Sequence, residues 1–376
     1  MIDTHTNCRK PAGGALSRRA FLGRAARLGA VAAAAGPPGA ALAGDRAGDG
    51  KLFLIGLEAH FATRELQRLQ AGKDERLFSG GGRRPELLDL GTGRIADMDE
   101  AGIDIQVLSA VTPGVQNLPG AEGVAFARKL NSWVANEVVA AYPDRFRAFA
   151  TLPLGQPGAA ADELERSVRE HGFVGCMSYG SIDGRFLDHA EFAPLLARAE
   201  ALGIPIYMHP NWPSEQTMEV YYGGLGDELV GRILSGPGYG WHQEVALQCL
   251  RMIVGGVFDR FPSLQIVVGH MGEGLPFWYW RVGEDLARIA KDRLRKPVQQ
   301  YFHDNLWITT SAFFRDELLN LALATMGEDR IMFSVDYPMA SARAGADWIR
   351  TVDLPRVVKE KIAHRNARRL LGIGPI

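Results

Sequence analysis

Short apolar runs alternate with longer amphipathic stretches along most of the chain after Gly44. Runs of this kind, rich in β-branched residues and bounded by Gly, Pro or Asp, are typical of buried strands. Eight are found, at 52–58, 104–110, 146–154, 173–180, 205–209, 264–270, 306–311 and 331–336. Amphipathic helices are predicted between them, among others at 123–142, 159–170, 191–202, 244–261 and 315–326. Alternating strands and helices build parallel β/α units, so the pattern predicts an α/β fold, a single-domain (β/α)₈ TIM barrel.

A long insertion interrupts this pattern after the fifth predicted strand. It covers residues 211–241 and is rich in Gly, Tyr and Trp. Long loops at the mouth of a barrel are commonly lids or subunit contacts, and a solvated excursion is about as frequent. The sequence leaves these three roles open.

The amino-terminal segment does not follow the strand and helix pattern. SRRAFLG, from Ser17 to Gly23, precedes an Ala-rich run at 25–35, and Ala41-Leu42-Ala43 offers an Ala-x-Ala cleavage site. The apolar part is too short and too rich in Ala for a convincing transmembrane helix. We therefore expect residues 1–43 to be a signal peptide for the twin-arginine export machinery and residues 44–376 to be the mature barrel, located in the periplasm or outside the cell. Twin-arginine export carries folded proteins, which suits an enzyme that takes up its metal before export.

Composition narrows the class of partner. The 376 residues include 42 Lys and Arg against 43 Asp and Glu, so the net charge gives no electrostatic reason to expect nucleic acid or an anionic membrane surface. A small-molecule substrate is the better expectation. Of the three cysteines, Cys8 lies in the predicted leader, while Cys176 and Cys249 lie in apolar segments without Cys-x-x-Cys spacing and are interpreted as core residues.

Ionisable residues end four of the predicted strands. They are Glu58 and His60 after the first, His209 after the fifth, His270 and Glu273 after the sixth, and Asp336 after the eighth. The carboxyl ends of all strands meet at one rim of a parallel barrel, and a spacing of two puts Glu58 and His60 on the same side of an extended strand. Two imidazoles and two carboxylates suit Zn²⁺, and also Mn²⁺ or Fe²⁺ with added water. We expect one divalent metal ion, zinc or manganese.

Other features carry less information. Arg281 follows Glu273 by eight residues, two helical turns, and could pair with that carboxylate or with an anionic substrate; a surface charge is the simpler interpretation. The aromatic run 277–280 could line a ring-binding pocket, although core packing or an oligomer interface is favoured. His364 and Asn366 lie on the last predicted helix, where a capping or hydrogen-bonding role is favoured over catalysis.

Several segments together resemble the amidohydrolase-related family that contains aminocarboxymuconate semialdehyde decarboxylase. They are Glu58-Ala59-His60, FDRFPSLQIVVGHMGEGLPFWYWR at 258–281, FSVDYP at 333–338 and KIAHRNARRLL near the carboxyl terminus. Within this family, Glu-x-His, GHMGEGLPF and AGIDIQVLSAVTPGVQ are similar to the branch of non-oxidative aromatic acid decarboxylases that act on γ-resorcylate and 2,3-dihydroxybenzoate.

The resemblance implies a metal-dependent carboxy-lyase acting on a small hydroxylated aromatic or related carboxylic acid, and we expect it to be a homodimer or homotetramer. It implies Glu58, His60, His209 and Asp336 as metal ligands, with His270, Glu273 and Arg281 as a second polar group beside the substrate. The metal would hold the carboxylate and the ortho-hydroxyl of the substrate, and Asp336 would help to protonate the ring carbon. The chain departs from the pattern of the branch at Ala59, at Ser178-Tyr179-Gly180 and at Met339-Ala340, near the expected substrate pocket.

Two alternatives remain. The same metal could activate water for hydrolysis of a lactone or amide, with Asp336 as general base and His270 polarising the carbonyl. The second alternative is an exported barrel that binds a small molecule without catalysing a reaction. It is disfavoured because buried carboxylates and imidazoles are costly to keep without a cation.

Overall fold

Nine short strands form the centre of the part of the chain that this computed structural model describes, residues 50–74 and 85–374. They are β1 (Ile55–Phe61), β2 (Ile105–Ala110), β3 (Phe146–Ala148), β4 (Ala150–Thr151), β5 (Cys176–Tyr179), β6 (Ile206–His209), β7 (Ile266–Val268), β8 (Leu306–Thr309) and β9 (Ile331–Met332). Every pairing between neighbours is parallel. The predicted signal peptide at 1–43 lies outside the described residues.

The strands close into a ring of eight positions. One sheet has the order β1-β2-β3 and the other runs from β4 to β9. Only Phe149 separates β3 from β4, and its N–H donates to the Leu108 carbonyl at 2.9 Å, so β3 and β4 occupy one position. The ring closes where the chain beyond β9 bridges β1, because the His60 N–H donates to the Tyr337 carbonyl at 2.7 Å. The predicted (β/α)₈ barrel is confirmed.

Helices follow the strands and cover the outside of the ring. The α-helices lie at Arg64–Asp74, Thr92–Ala101, Gly120–Trp133, Pro157–His171, Ala193–Leu202, Glu215–Tyr222, Glu228–Ser235, Gly240–Val254, Val257–Arg260, Leu275–Ala290, Val298–Asn305, Asp316–Thr325, Ala342–Thr351, Arg356–Glu360 and Asn366–Leu371. The helix predicted at 244–261 is in fact two helices. They are separated at Gly255 and Gly256, where Gly256 has a φ of 70° that an L side chain rarely adopts.

Alternate residues of the strands fill the interior of the barrel. Ile55 and Leu57 of β1 face inward with Ile105 and Val107 of β2, and their counterparts on the other strands complete this inner cluster. Leu371 of the last helix belongs to the same cluster, so that helix packs against the interior side chains. Both faces of each strand are therefore covered, which explains why the strands are apolar without alternation.

A β-bulge in β1 changes which side chains face inward near the rim. The pairing register with β2 shifts between Gly56 and Ala59. Consequently Leu57 and Glu58 both point into the barrel, Ala59 packs in the outer core, and His60 points inward again. Bulges of this kind re-aim side chains beside active sites.

The insertion at 211–241 contains two short helices, Glu215–Tyr222 and Glu228–Ser235. Several of its apolar side chains are exposed, including Tyr221 at 73% and Leu229 at 60% of their surface. Cys176 and Cys249 are both free and buried, which confirms their interpretation as core residues. No helix within 50–74 or 85–374 is long and apolar enough to cross a membrane.

Candidate metal centre

Four of the predicted site residues meet at the carboxyl ends of β1 and β6 and after β9. Glu58, His60, His209 and Asp336 each offer one ligand atom, and these four atoms lie within 4.8 Å of one another. His60 Nε2 is 3.5 Å from Glu58 Oε1 and 3.3 Å from Asp336 Oδ1, and His209 Nε2 is 3.0 Å from Glu58 Oε1. Ligand atoms held about 2.1 Å from one ion lie roughly 3.0 to 3.4 Å apart. The spacing of these side chains therefore fits a shared cation.

The same atoms lack other partners. Glu58 Oε1, His60 Nε2 and Asp336 Oδ1 are buried and make no hydrogen bond to any described residue. Buried polar atoms without partners are costly, and a cation at their common point would satisfy all of them. The site also attracts positive charge: burial alone would lower the pKa of His60, but Asp336 and Glu58 outweigh it and raise that pKa to about 9.

The orientation of the two candidate ligand histidines, His60 and His209, is set by a hydrogen bond at their other ring nitrogen. His209 Nδ1 lies 2.6 Å from the Pro210 carbonyl oxygen, to which it donates, and His60 Nδ1 lies 3.1 Å from Ser109 Oγ. With the ring protons on the Nδ1 atoms, both Nε2 atoms face the cluster and would be unprotonated when a cation is bound. This is the arrangement that metal-binding histidines adopt.

Glu58 is held by hydroxyl groups that the sequence analysis did not single out. Its Oε2 accepts hydrogen bonds from Tyr207 Oη and Ser311 Oγ, and Tyr207 Oη lies 2.9 Å from Thr309 Oγ1. These bonds turn Oε1 toward the cluster. The available signal was the period of two in the strands, because Tyr207 precedes His209 by two residues and Thr309 precedes Ser311 by two.

Arg94 supports the rim from outside the cluster and was likewise missed. It is fully buried, donates to the His60 carbonyl oxygen at 2.6 Å and lies over the Tyr337 ring at 4.6 Å. Burial lowers the pKa of its guanidinium to about 10. Arg94 thus braces the junction between β1 and the Asp336 segment, where the barrel closes.

His270 and Glu273 form a second group beside the first, on a left-handed turn after β7. Residues 270–274 all have positive φ, between 45° and 84°. Such a run is rare for residues other than Gly and is typical of functional sites. The turn brings His270 Nδ1 within 2.7 Å of Glu273 Oε1 and leaves His270 Nε2 at 3.7 Å from Asp336 Oδ2. His270 therefore bridges the two groups.

Gly269 allows this turn to approach the metal group. A Cβ atom on Gly269 would lie 3.1 Å from Tyr207 Oη, 3.2 Å from Glu58 Oε2 and 3.5 Å from Glu273 Oε1. The two acidic side chains and the tyrosine consequently pack closely around a backbone that leaves little room for a side chain.

His242 also belongs to the second group, although the strand pattern of the sequence does not indicate it. It lies at the start of the helix Gly240–Val254, just beyond the insertion, and its Nδ1 contacts Glu273 Oε2. His242, His270 and Glu273 form a second set of neighbouring ligand-type atoms. No strand end marks His242 in the sequence, so the rule that located the other residues could not find it.

The structure does not place Arg281 beside Glu273 of the same chain, and it agrees with the simpler interpretation of Arg281 as a surface charge. Arg281 is on the outer face of the helix Leu275–Ala290, with 71% of its side chain exposed, and its Nε lies 2.8 Å from Asp285 Oδ2. The left-handed turn before this helix breaks the helical spacing on which the pairing was based. Glu273 is instead paired with the two histidines.

The aromatic run at 277–280 does not act as one unit. Tyr279 is buried in the core, whereas Phe277 and Trp280 expose 70% and 63% of their surface. Tyr279 Oη lies 2.7 Å from His303 Nε2, and this hydrogen bond holds the tyrosine against the helix Val298–Asn305. Core packing is thus confirmed for Tyr279, and its neighbours present an apolar surface on the outside of the barrel.

Comparison with known proteins gives consistent matches over the barrel. The amidohydrolase family model matches residues 59–373. Decarboxylase orsB of Emericella nidulans is 39% identical over 331 residues, which cover 85% of this chain and 97% of that protein. Gamma-resorcylate decarboxylase of Polaromonas sp. is 38% identical over 330 residues, which cover 84% and 97%. One similar solved structure is the crystal structure of a dihydroxybenzoic acid decarboxylase from Polaromonas sp. with bound manganese and the inhibitor 2-nitroresorcinol. Its TM-score to this chain is 0.76 and its sequence identity 36%, and the match covers 85% of this chain and 97% of that one.

Proposed function

The chain belongs to the amidohydrolase family, and from that premise we propose that it is a carboxy-lyase that removes CO₂ from a small hydroxylated aromatic acid with the help of one divalent cation. The observation that carries the proposal is the convergence of four buried side chains of ligand type, three of which have a buried atom without a hydrogen-bond partner among the described residues. Relatives that cover nearly the whole barrel are decarboxylases, which favours this reaction over hydrolysis of a lactone or amide.

Glu58, His60, His209 and Asp336 would hold the cation. Manganese is the first candidate, because a structural relative contains it, and zinc suits the same donors. When bound, the cation would supply positive charge that attracts the carboxylate and the ortho oxygen of the substrate and so orients the acid in the site.

Asp336 is the proposed acid. Its carboxyl group gives a proton to the ring carbon that carries the carboxylate, the bond from that carbon to the carboxylate breaks, and the electron pair returns to the ring as CO₂ leaves. His270 Nε2, at 3.7 Å from Asp336 Oδ2, is placed to return a proton to Asp336 for the next turnover. Glu273 accepts from His270 Nδ1 and so keeps Nε2 directed at Asp336.

The test is CO₂ release by the purified, metal-loaded protein from a panel of 2,6- and 2,3-dihydroxybenzoates and related acids, with a panel of lactones assayed in parallel. We expect CO₂ from at least one hydroxybenzoate. Asp336→Asn should abolish that turnover while the circular dichroism spectrum stays unchanged. Lactone hydrolysis without CO₂ release from any acid, or full activity in Asp336→Asn, would refute the proposal.

A second copy of the chain is the proposed partner for the exposed apolar surface. The helices Glu228–Ser235 and Leu275–Ala290 both contact the helix Gly240–Val254, and both expose large apolar side chains, among them Ile233 and Trp280. Patches of this kind usually mark protein interfaces, and homo-oligomers cover them with the same surface of another copy. Light scattering should give a dimer or tetramer, and a double change, Ile233→Asp with Trp280→Asp, should shift it toward monomer.

We propose that the protein is exported through the twin-arginine pathway. It rests on the paired arginines Arg18 and Arg19, the Ala-rich run and the Ala-x-Ala site at 41–43. Replacing both arginines by lysine should retain the protein in the cytoplasm, as measured by cell fractionation. Export of this variant at the original level would contradict the proposal.

A further inference from the structure

His242 lies on the wall of the site although no strand end presents it. Its ring is 4.9 Å from the His270 ring and 5.8 Å from the Phe313 ring, measured between centroids. Its side chain is largely buried, and its Nδ1 contacts Glu273 Oε2. His242 is therefore linked through Glu273 to the residue that faces Asp336.

The neighbours of His242 determine where its ring proton lies. The indole N–H of Trp241 lies 3.0 Å from His242 Nε2, and an indole nitrogen can only donate. His242 Nε2 must therefore accept, which places the ring proton on Nδ1, where it is donated to Glu273 Oε2. The Pro237 carbonyl oxygen also lies 3.2 Å from Nε2, but it accepts no hydrogen bond from that nitrogen, because Nε2 carries no proton in this tautomer.

Glu273 is consequently held from both sides. Its Oε1 accepts from His270 Nδ1 at 2.7 Å, its Oε2 accepts from His242 Nδ1, and its side chain has no exposed surface. Without His242, Oε2 would be a buried carboxylate oxygen that has lost its donor, which is costly enough to make the carboxylate rotate or take up a proton. Either response would release His270 from the orientation that points its Nε2 at Asp336.

We propose that His242 is a positioning residue for decarboxylation: by fixing Glu273, it holds the His270 ring with Nδ1–H toward Glu273 and Nε2 toward Asp336. The role of this orientation in turnover rests on the proposed function, because it concerns the residue that returns a proton to Asp336. The orientation itself follows from the contacts around Glu273 alone.

Two substitutions of similar polarity separate this role from a merely structural one. In His242→Asn the amide nitrogen occupies nearly the position of Nδ1 and can still donate to Glu273. In His242→Gln the amide lies near the position of Nε2, so the donor is lost. We expect kcat of metal-loaded His242→Asn to stay within about threefold of the parent, and kcat of His242→Gln and His242→Ala to fall by about tenfold to a hundredfold, with KM nearly unchanged.

A matched control removes a histidine paired with a carboxylate elsewhere. His189 Nδ1 lies 3.3 Å from Glu191 Oε1 on the surface, and His189→Ala should leave kcat unchanged. Metal content and Tm are measured for every variant, so that loss of loading or of folding is separated from loss of positioning. Equal kcat values for His242→Asn and His242→Gln, both fully loaded, would overturn the proposal.

A spectroscopic readout is independent of turnover. In the zinc-loaded protein, ¹⁵N spectra of the imidazole rings should show His242 with an unprotonated Nε2 and His270 with a protonated Nδ1. His242→Asn should keep the His270 signals, and His242→Gln should shift them. If no acid is decarboxylated, the proposed function fails while these spectra still test the positioning role, and unchanged His270 signals in His242→Gln would refute it.

Discussion

Removing the hydroxyl of Tyr207 tests whether the barrel positions its metal ligands through buried hydrogen bonds. Tyr207 Oη and Ser311 Oγ both donate to Glu58 Oε2, and together they aim Oε1 at the cation site. Tyr207→Phe keeps the ring that fills the barrel interior and deletes only the donor. Burial by itself would raise the pKa of the Glu58 carboxyl, but His270 and His209 outweigh it and hold that pKa well below its usual range, so the acceptor is ionised.

The magnitude follows from the charge on the acceptor. A hydrogen bond to a charged group contributes about 1.5 to 3 kcal/mol. The metal-free protein can relieve this loss by rotating the Glu58 carboxylate, whereas the metal-bound protein cannot, so most of the loss falls on metal binding. At about 1.4 kcal/mol for each factor of ten, the dissociation constant for the cation should rise by about tenfold to a hundredfold, the range found when partners of metal ligands are removed.

The assay is a competition titration with a chromogenic chelator on the parent and Tyr207→Phe. Tyr301→Phe is the matched control, because Tyr301 is also fully buried and donates to a carboxylate, Asp259 Oδ1, at 2.5 Å, but lies outside the site. It should lower Tm and leave the dissociation constant unchanged. A Tyr207→Phe protein that binds manganese and zinc within twofold of the parent would show that the hydroxyl does not position Glu58.

Two further predictions concern the same site. Gly269→Ala would place a methyl group 3.1 Å from Tyr207 Oη and 3.2 Å from Glu58 Oε2. Metal content measured by atomic spectroscopy should therefore fall, while the circular dichroism spectrum stays unchanged. Full metal loading of this variant would show that the turn adjusts to the methyl group without moving Glu58. Chelation should lower Tm and added cation should restore it, since a ligand at a hundred times its dissociation constant stabilises a protein by about 2.7 kcal/mol. Glu58→Gln should lose most of this response, and a parent Tm that chelation leaves unchanged would contradict a cation bound by the four ligands.

The alternation of apolar runs and amphipathic stretches was sufficient to predict the barrel and to bring the four candidate metal ligands to one rim. Parallel strands place all their carboxyl ends at one rim, so a residue at the end of a strand has a known position before any coordinates exist. This reasoning placed Glu58, His60, His209 and Asp336 at one rim, and it placed His270 and Glu273 there as well. The boundaries were less accurate, as β9 shows: it pairs over two residues before the chain turns to close the ring.

Features that depend on contacts between distant segments could not be predicted from a periodic pattern. The bulge in β1 makes Leu57 and Glu58 face inward together, and the left-handed turn after β7 separates Arg281 from Glu273. His242 reaches the site from a helix beyond the insertion. A period describes a residue relative to its own element, whereas a hydrogen bond between elements depends on how they pack. For this reason local sequence was enough to indicate the candidate ligands, and only the packed chain revealed the groups that hold them in place.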